Sequence, residues 1–298
     1  MKLFAPRYYT EFECIADKCE HSCCIGWEID IDPRTLKKYK RLKGDYAKQI
    51  KKSICKKGTP HFRLCQGDRC PHLNEGGLCE IIINYGKDSL CDICTEHPRF
   101  YNDTVNGKEV GLGMSCEEAC RIILSADSYA DFVQVDELDF DEAELYFNPF
   151  DTREQLFKIL SDKDTTYSKK LDTVYEKYGV SPFSKTKEDY FSCFSELEYL
   201  DPCAKERFLS FSPAREQRAE YEESLARALA YFIFRHVTAA TDENELKRAL
   251  FFALVSERLL AYVTLDGSDV FEAARLISQE LEYSQENTEK IKDLISDK

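Results

Sequence analysis

No stretch of this 298-residue chain approaches the ~18 to 20 consecutive apolar residues that a membrane-spanning helix needs. The densest local runs are Ala230 to Phe234 and Phe251 to Val255. Nor does Met1 to Arg7 carry the apolar block of a secretory signal. The expectation is a soluble, cytoplasmic protein with no membrane partner. Cations are also scarce: 41 Lys and Arg stand against 55 Asp and Glu, a formal net charge of −14. Affinity for a phosphate backbone rests mainly on Lys and Arg, so a general nucleic-acid binder is not expected. The acidic balance keeps a chain soluble and suits a cationic partner such as a Lys-bearing protein. Familiar nucleotide and hydrolase signatures are missing too. There is no P-loop and no G-x-S-x-G, and Gly111-x-Gly113 lacks the third glycine and the strand-to-helix setting of a dinucleotide site. Core material is not missing: 43% apolar and 12% aromatic residues argue against disorder.

Cysteine is abundant. Twelve of fourteen lie in residues 1–120, with only Cys193 and Cys203 beyond them. That is the density of a disulfide scaffold or a metal module. Without an export signal the thiols are expected to stay reduced, and clustered reduced cysteines read as metal ligands. Cys23 and Cys24 are neighbours, with Cα atoms about 3.8 Å apart, too close for an ordinary disulfide. The strongest pattern is Cys14-x4-Cys19-x3-Cys23-Cys24-x-Gly26-Trp27, four soft ligands in eleven residues with a glycine to relieve the backbone. Cys70-Pro71-His72-Leu73, Gly77-Leu78-Cys79, Cys94-x3-Pro98-Arg99 and Ser115-Cys116 follow. Thiolate selects zinc, copper(I) or iron–sulfur over hard cations. Cys91-x2-Cys94 is the sole C-x-x-C, so a zinc ribbon of paired knuckles fits poorly.

A composition shift near residue 125 predicts two domains: a cysteine-cluster module over 1–125 and an α-helical domain over 126–298. Past the shift, Asp131 to Glu144 holds seven carboxylates and no Lys or Arg. Before it, Trp27 to Ile31 alternates like a short strand. Asp32-Pro33 reads as an N-cap followed by proline at the first helical position. Leu36, Tyr39, Leu42, Tyr46, Ile50 and Ile54 then form one apolar stripe. The opposite face is basic, since residues 34–57 hold eleven Lys and Arg against one Asp, a local charge of +10. It reads as a solvated helix face or as a contact for an anion or partner. Residues 60–98 read as loops and short turns. Asn106-Gly107 between Phe100–Val105 and Lys108–Met114 signals a hairpin. Further on, Asp151 is expected to cap a helix carrying Leu156, Phe157 and Leu160. A helix near Lys187–Leu200 places Phe191, Phe194, Leu197 and Leu200 on one side and ends at Asp201-Pro202. A long helix over Glu216–Val237 is apolar around Tyr231 to Phe234 and so central. Asp242 with Glu245 resembles a capping box before Leu246–Val263, and amphipathic segments over Val270–Leu281 and Thr288–Ile295 close the chain. The fold class expected is mainly α, a Cys-rich metal-bound module with a small β-hairpin followed by a helical domain.

The cysteine order resembles that of the flagellin lysine-N-methylases, whose core also looks like the wider CxxCxxCC cluster family. The matching residues are Phe12-x-Cys14, Cys19, Cys23-Cys24-x-Gly26-Trp27, Cys70-Pro71, Leu78-Cys79, Cys94-x3-Pro98-Arg99 and Ser115-Cys116, within residues 8–124. Glu117 stands where the family usually has proline. The resemblance implies transfer of methyl groups from S-adenosylmethionine to Lys ε-amines of flagellin, with a [4Fe–4S] cluster bound by cysteine. Carried over, the metal candidates are Cys14, Cys19, Cys23, Cys24, Cys70, Cys79, Cys94 and Cys116. Cys55, Cys65, Cys91 and Cys120 fall outside the pattern, with Cys91 able to replace Cys94. Eight thiolates exceed one cluster's need, so one cluster, two, or a cluster with zinc all remain open.

A Lys amine, with a reference pKa near about 10.4, must lose its proton to attack a methyl group. Burial and a nearby carboxylate help it do so, and aromatic faces favour sulfonium and ammonium alike. Trp27, Tyr8, Tyr9, Phe100 and Tyr101 flank the cysteines, and Arg99 is a candidate partner for the donor's carboxylate; Trp27 and Arg99 are the cofactor-binding candidates. His21, His61, His72 and His97 lie near cysteines; they read as surface or supporting residues, with one of them open as a metal ligand. His236 reads as a satisfied core histidine. The rival function is a non-catalytic zinc-binding adaptor that holds a basic partner; an iron–sulfur electron carrier is a third reading. The sequence leaves the catalytic residues unassigned.

Overall fold

The structure is a computed structural model that describes residues 2–104, 107–137 and 147–295. The chain forms two compact units, Glu13–Arg99 and a second made of Met1–Phe12 with Phe100–Lys298. The composition shift at residue 125 coincides with the end of a helix inside the second unit, whereas the unit limits fall at 12/13 and 99/100. Cys116 and Cys120 therefore belong to the helical unit and the other ten N-terminal cysteines to the cysteine-rich one.

In the cysteine-rich unit, α1 (Pro33–Arg41) starts as expected, with the Asp32 carboxylate accepting from the Thr35 N–H at 2.8 Å. The apolar stripe does not run on one helix, however. The chain leaves helical geometry at Leu42 and restarts as α2 (Asp45–Ser53), because Gly44 at φ 104° takes a conformation that favours glycine. Both helices still turn their apolar residues inward: Tyr39 and Ile50, with Ile54 just past α2, pack with Ile29, Ile31, Phe62, Cys70, Leu73, Ile81 and Cys91. The expected strand at Trp27–Ile31 is reduced to one bridge, Asp30 to His61, although Ile29 and Ile31 are buried as the alternation implies. Two short strands, β2 (Ile54–Cys55) and β3 (His61–Phe62), pair antiparallel. Two short helices follow, α3 (Glu80–Tyr85) and α4 (Asp92–Glu96).

The helical unit carries a four-stranded sheet in the order β4-β5-β1-β6. The expected hairpin forms from β4 (Arg99–Thr104) and β5 (Gly107–Leu112); Val105 and Asn106 lie outside the described residues. Its other strands were not anticipated. β1 (Lys2–Pro6) runs parallel to β5 and antiparallel to β6 (Phe132–Glu137), which arises within the acidic stretch. The rest of that stretch, residues 138–146, lies outside the described residues.

Eight helices pack on this sheet's unit: α5 (Glu117–Ser125), α6 (Phe150–Ser161), α7 (Tyr167–Tyr178), α8 (Lys187–Ser195), α9 (Pro202–Leu209), α10 (Glu222–Phe232), α11 (Glu243–Val263) and α12 (Val270–Glu282), with α13 (Gln285–Asp293) closing the described chain. The mainly α class is as expected. Asp151 sits in the first turn of α6 rather than capping it. Phe194 and Leu197 are buried, but Phe191 is exposed and Leu200 half-exposed, since α8 stops at Ser195 and Asp201 instead caps α9. α10 is shorter than expected and widens into a π-helical turn at Ile233–Val237. α11 is the central helix, capped by the Asp242 carboxylate on the Glu245 N–H, with fifteen of its twenty-one residues buried. Among the described residues no helix is long and apolar enough to cross a membrane.

Several buried charge groups hold this unit, among them Glu257 with Arg258 on α11. Arg153 on α6 and Glu109 on β5 form a bidentate pair, Nη2 to Oε1 at 2.9 Å, with the guanidinium 4.2 Å from the Phe150 ring centre and 4.7 Å from that of Phe132. Elsewhere Glu282 accepts from Tyr231 at 2.8 Å and from the His236 Nε2–H at 2.6 Å, and Arg235 lies 3.3 Å away. His236 is thus the satisfied histidine expected. Burial alone would raise the Glu282 carboxyl, but Arg235, His236 and Ser278 more than offset it and hold it at about 2. A depressed carboxylate contributes stability above its unfolded value near 4.5 and loses it as pH falls toward 2. That contribution is on the order of 3 kcal/mol. Burial lowers His236 as well, so the unfolded chain takes up that proton first and acid destabilises through it too. Melting temperature measured from pH 7 down to pH 3 is expected to fall most steeply below pH 4.5, and Glu282→Gln to flatten that limb.

Candidate metal centre

The cysteines of the cysteine-rich unit are gathered by backbone contacts between distant stretches. The Cys70 N–H donates to the Cys24 carbonyl at 2.8 Å, and the Gly26 N–H to Asp68 at 3.1 Å. Gly26 turns there at φ 97°, which accounts for the glycine two residues after Cys24. The Trp27 indole N–H donates to the Cys23 carbonyl at 2.7 Å and so pins the Cys23-Cys24 turn from behind. Leu73 bridges Cys79, while the Glu80 N–H meets the His72 carbonyl at 2.8 Å. Cys79 and Cys91 stand immediately before α3 and α4, with Cys94 inside α4.

Electrostatics shows which sulfurs share a locality. A hydrogen bond with Cys91 pushes the Cys94 thiol up first, with burial and the charges of Cys91, Cys24 and Cys70 adding to it. Cys91 is lowered in turn by Cys94, against burial, and by the Tyr39 hydroxyl 3.5 Å from its sulfur. Burial raises Cys70 to about 12, aided by Cys24, Cys79 and Cys91. It raises Cys79 as well, despite two backbone N–H groups, those of Ile81 and Ile82, on its sulfur. Cys24 is drawn down to about 7, chiefly by the Cys23 thiol, then by Ser22 and Arg69, against burial. These charges link five thiols from four chain segments of the unit, although among the described residues no three of their sulfurs lie within 4.8 Å of one another. Neutral thiols so placed are poor company; deprotonated and shared by a cation, they would relieve one another.

The sequence candidates divide on this basis. Cys24, Cys70, Cys79 and Cys94 belong to the gathered set, and Cys91, outside the family pattern, joins them. Cys14 and Cys23 are exposed and Cys19 half-buried in the same unit. Cys116 caps α5 in the helical unit. Cys120 is a core residue there, its thiol donating to the Phe271 carbonyl at 3.3 Å, and Cys65 is exposed. All fourteen cysteines are outside disulfides.

The histidines separate equally. His72 is buried, with Nδ1 2.8 Å from the Tyr46 hydroxyl and Nε2 2.9 Å from that of Ser53, so both ring nitrogens are taken. Burial lowers it to about 4 and keeps it neutral. His97, three residues past Cys94, is also lowered to about 4 by burial, and its Nε2 is buried without a hydrogen-bond partner. Its ring centre lies 6.4 Å from that of Trp27. The chemistry of the donors, soft sulfurs with an orphaned imidazole nitrogen three residues past Cys94, is that of a soft metal centre, while among the described residues the structure does not draw three of the sulfurs to within 4.8 Å of one another. A separate trio with ligand atoms within 4.8 Å of one another is Glu28, Asp30 and His61, where both carboxylates are exposed. Arg99 donates to the Thr95 carbonyl at 3.3 Å.

The arrangement defines a class: a thiol-gathering unit set within the sequence of a mainly helical one. Comparison with known proteins narrows it. The chain is 30% identical over 127 residues to the lysine-N-methylases of Salmonella typhimurium and Salmonella choleraesuis, covering 40% of this chain and 32% of each of them. It is also 30% identical over 127 residues to the flagellar biosynthetic protein FliU of Salmonella muenchen, covering 75% of that protein. The chain belongs to the flagellin lysine-N-methylase family. The match spans about a third of the length of the two lysine-N-methylases. No family model and no solved structure matches.

Proposed function

We propose that this protein transfers methyl groups from S-adenosylmethionine to Lys ε-amines of flagellin and binds a [4Fe–4S] cluster through its cysteines. The observation that carries the reading is the 30% identity to proteins named lysine-N-methylase, together with the name of FliU, which points to a flagellar substrate. In the transfer, a neutral Lys nitrogen forms the N–C bond as the donor's C–S bond breaks; the bonding pair stays on sulfur and the surplus proton leaves to water. Cys24, Cys70, Cys79, Cys91 and Cys94 are the residues that would hold the cluster, with Cys14, Cys19, Cys23 and Cys116 as further candidates. Were the cluster held by three of these thiolates, it would supply an open iron to which the donor's amino and carboxylate groups could bind. Trp27 spends its N–H on the Cys23 carbonyl, so its part is to hold the turn, while Arg99 remains the candidate for the donor carboxylate.

Protein purified without oxygen is expected to be brown and to carry iron and acid-labile sulfide. Given S-adenosylmethionine, it is expected to label flagellin with methyl groups on lysine. Colourless protein holding zinc alone, with no methyl transfer, would replace this reading with the zinc adaptor.

A further inference from the structure

Charge is divided sharply within this chain. The cysteine-rich unit is net +3 and the rest of the chain −17, and within that unit residues 34–57 alone carry +10. The structure spreads this charge over the outer faces of α1 and α2. Arg34 is held by Asp92, and Lys48 by Asp45 at 3.0 Å. Lys38 and Lys51 donate to backbone carbonyls of Asp88 and Leu42. Lys37, Lys40, Arg41, Lys43 and Lys52 are exposed and have no side-chain partner among the described residues. Along α1, Pro33, Arg34, Lys37, Lys38, Arg41 and Leu42 line a concavity of about 650 Å³. Four of its six walls are cations, and like charges this close are stabilised by anions from outside.

We propose that this α1 face is a docking surface for an acidic segment of the protein substrate, a proposal that rests on the methylase reading above. Lysine-rich parts of a substrate are repelled here and drawn to the acidic remainder of the chain, so opposite potentials orient a partner that carries both. A nucleic acid suits the face less well. Nine of its eleven cations are Lys, and no large exposed hydrophobic ring lies among residues 34–57 to stack a base. The unit's other residues are net −7, so a long uniform polyanion would run off the basic face onto acid.

The test compares the full chain with its Lys37→Glu/Lys40→Glu/Arg41→Glu variant. Fluorescence anisotropy would follow a labelled Asp/Glu-rich peptide and a labelled single-stranded RNA of equal length, at about 50 and about 200 mM NaCl. The peptide is expected to bind the native chain in a salt-sensitive way, more tightly than the RNA, and to bind the variant at least about tenfold more weakly. With flagellin as substrate, the variant is expected to raise KM by a similar factor at unchanged kcat, with metal content and melting temperature as native. Equal peptide binding by both proteins, or tighter binding of the RNA, would overturn the docking surface. Absence of methyl transfer by the native chain would overturn only the methylase reading, because the peptide measurement stands apart from turnover.

Discussion

Cys91→Ser is expected to strip the protein of its metal, although Cys91 lies outside the family's cysteine order. Its sulfur is buried, in hydrogen-bond contact with Cys94 and 3.5 Å from the Tyr39 hydroxyl, and Cys70 and Cys79 feel its charge. Loss of a residue that merely supports a ligand weakens metal affinity by about 10- to 100-fold, so loss of a thiolate ligand is expected to cost more than about 100-fold. Metal affinity is also folding free energy where the site is assembled only in the folded chain. The cysteine-rich unit of this variant should therefore become sensitive to protease as well as metal-poor. Cys65→Ser, at an exposed position, should keep its metal. Iron, zinc and sulfide assays on the three proteins decide the matter: a Cys91→Ser protein as metal-rich as the native chain would remove Cys91 from the centre.

Arg153→Met is expected to produce the largest loss of stability. It leaves the Glu109 carboxylate, 3% exposed, buried with no counter-charge. Removing one partner of a buried pair costs about 3–5 kcal/mol, because the desolvation of the remaining charge is no longer compensated. In a unit of this size the melting temperature should drop on the order of 10 °C. Arg153→Met/Glu109→Gln should recover much of that loss, since a neutral amide tolerates the site better. An unchanged melting temperature in the single variant would show that the pair carries no such weight.

Features written in neighbouring residues were legible in the sequence. Asp32-Pro33 and Asp242 with Glu245 both cap as their spacing implies, and the hairpin signal gave two adjacent strands. Those cues act over a turn or less. The break at Gly44 is hidden in the sequence because the apolar stripe continues across it in register, and only the backbone conformation interrupts the helix. β1 was unreadable for another reason: its partners are β5 and β6, and no local pattern encodes a pairing between Leu3 and Lys108. The limits of the two units follow from that pairing rather than from composition. The cysteine order contains Cys24, Cys70, Cys79 and Cys94, and Cys91 enters the sequence reading as a replacement for Cys94, because spacing alone cannot report burial. Arg153 and Glu109 read in the sequence as two ordinary charges 44 residues apart.

The parallel register of the first strand bears on how the chain is made. Leu3 and Phe4 leave the ribosome about a hundred residues ahead of Lys108 and Glu109, the positions they face. Until then neither edge of the amino-terminal segment has a mate, since β6 is made later still, and closing so long a loop carries an entropic cost that grows only as the logarithm of its length. Every thiol of the gathered set, from Cys24 to Cys94, is synthesised inside that interval. Ordering the intervening stretch during translation would shorten the effective loop, and under the proposed function a bound metal would supply that order and so link metal supply to completion of the sheet.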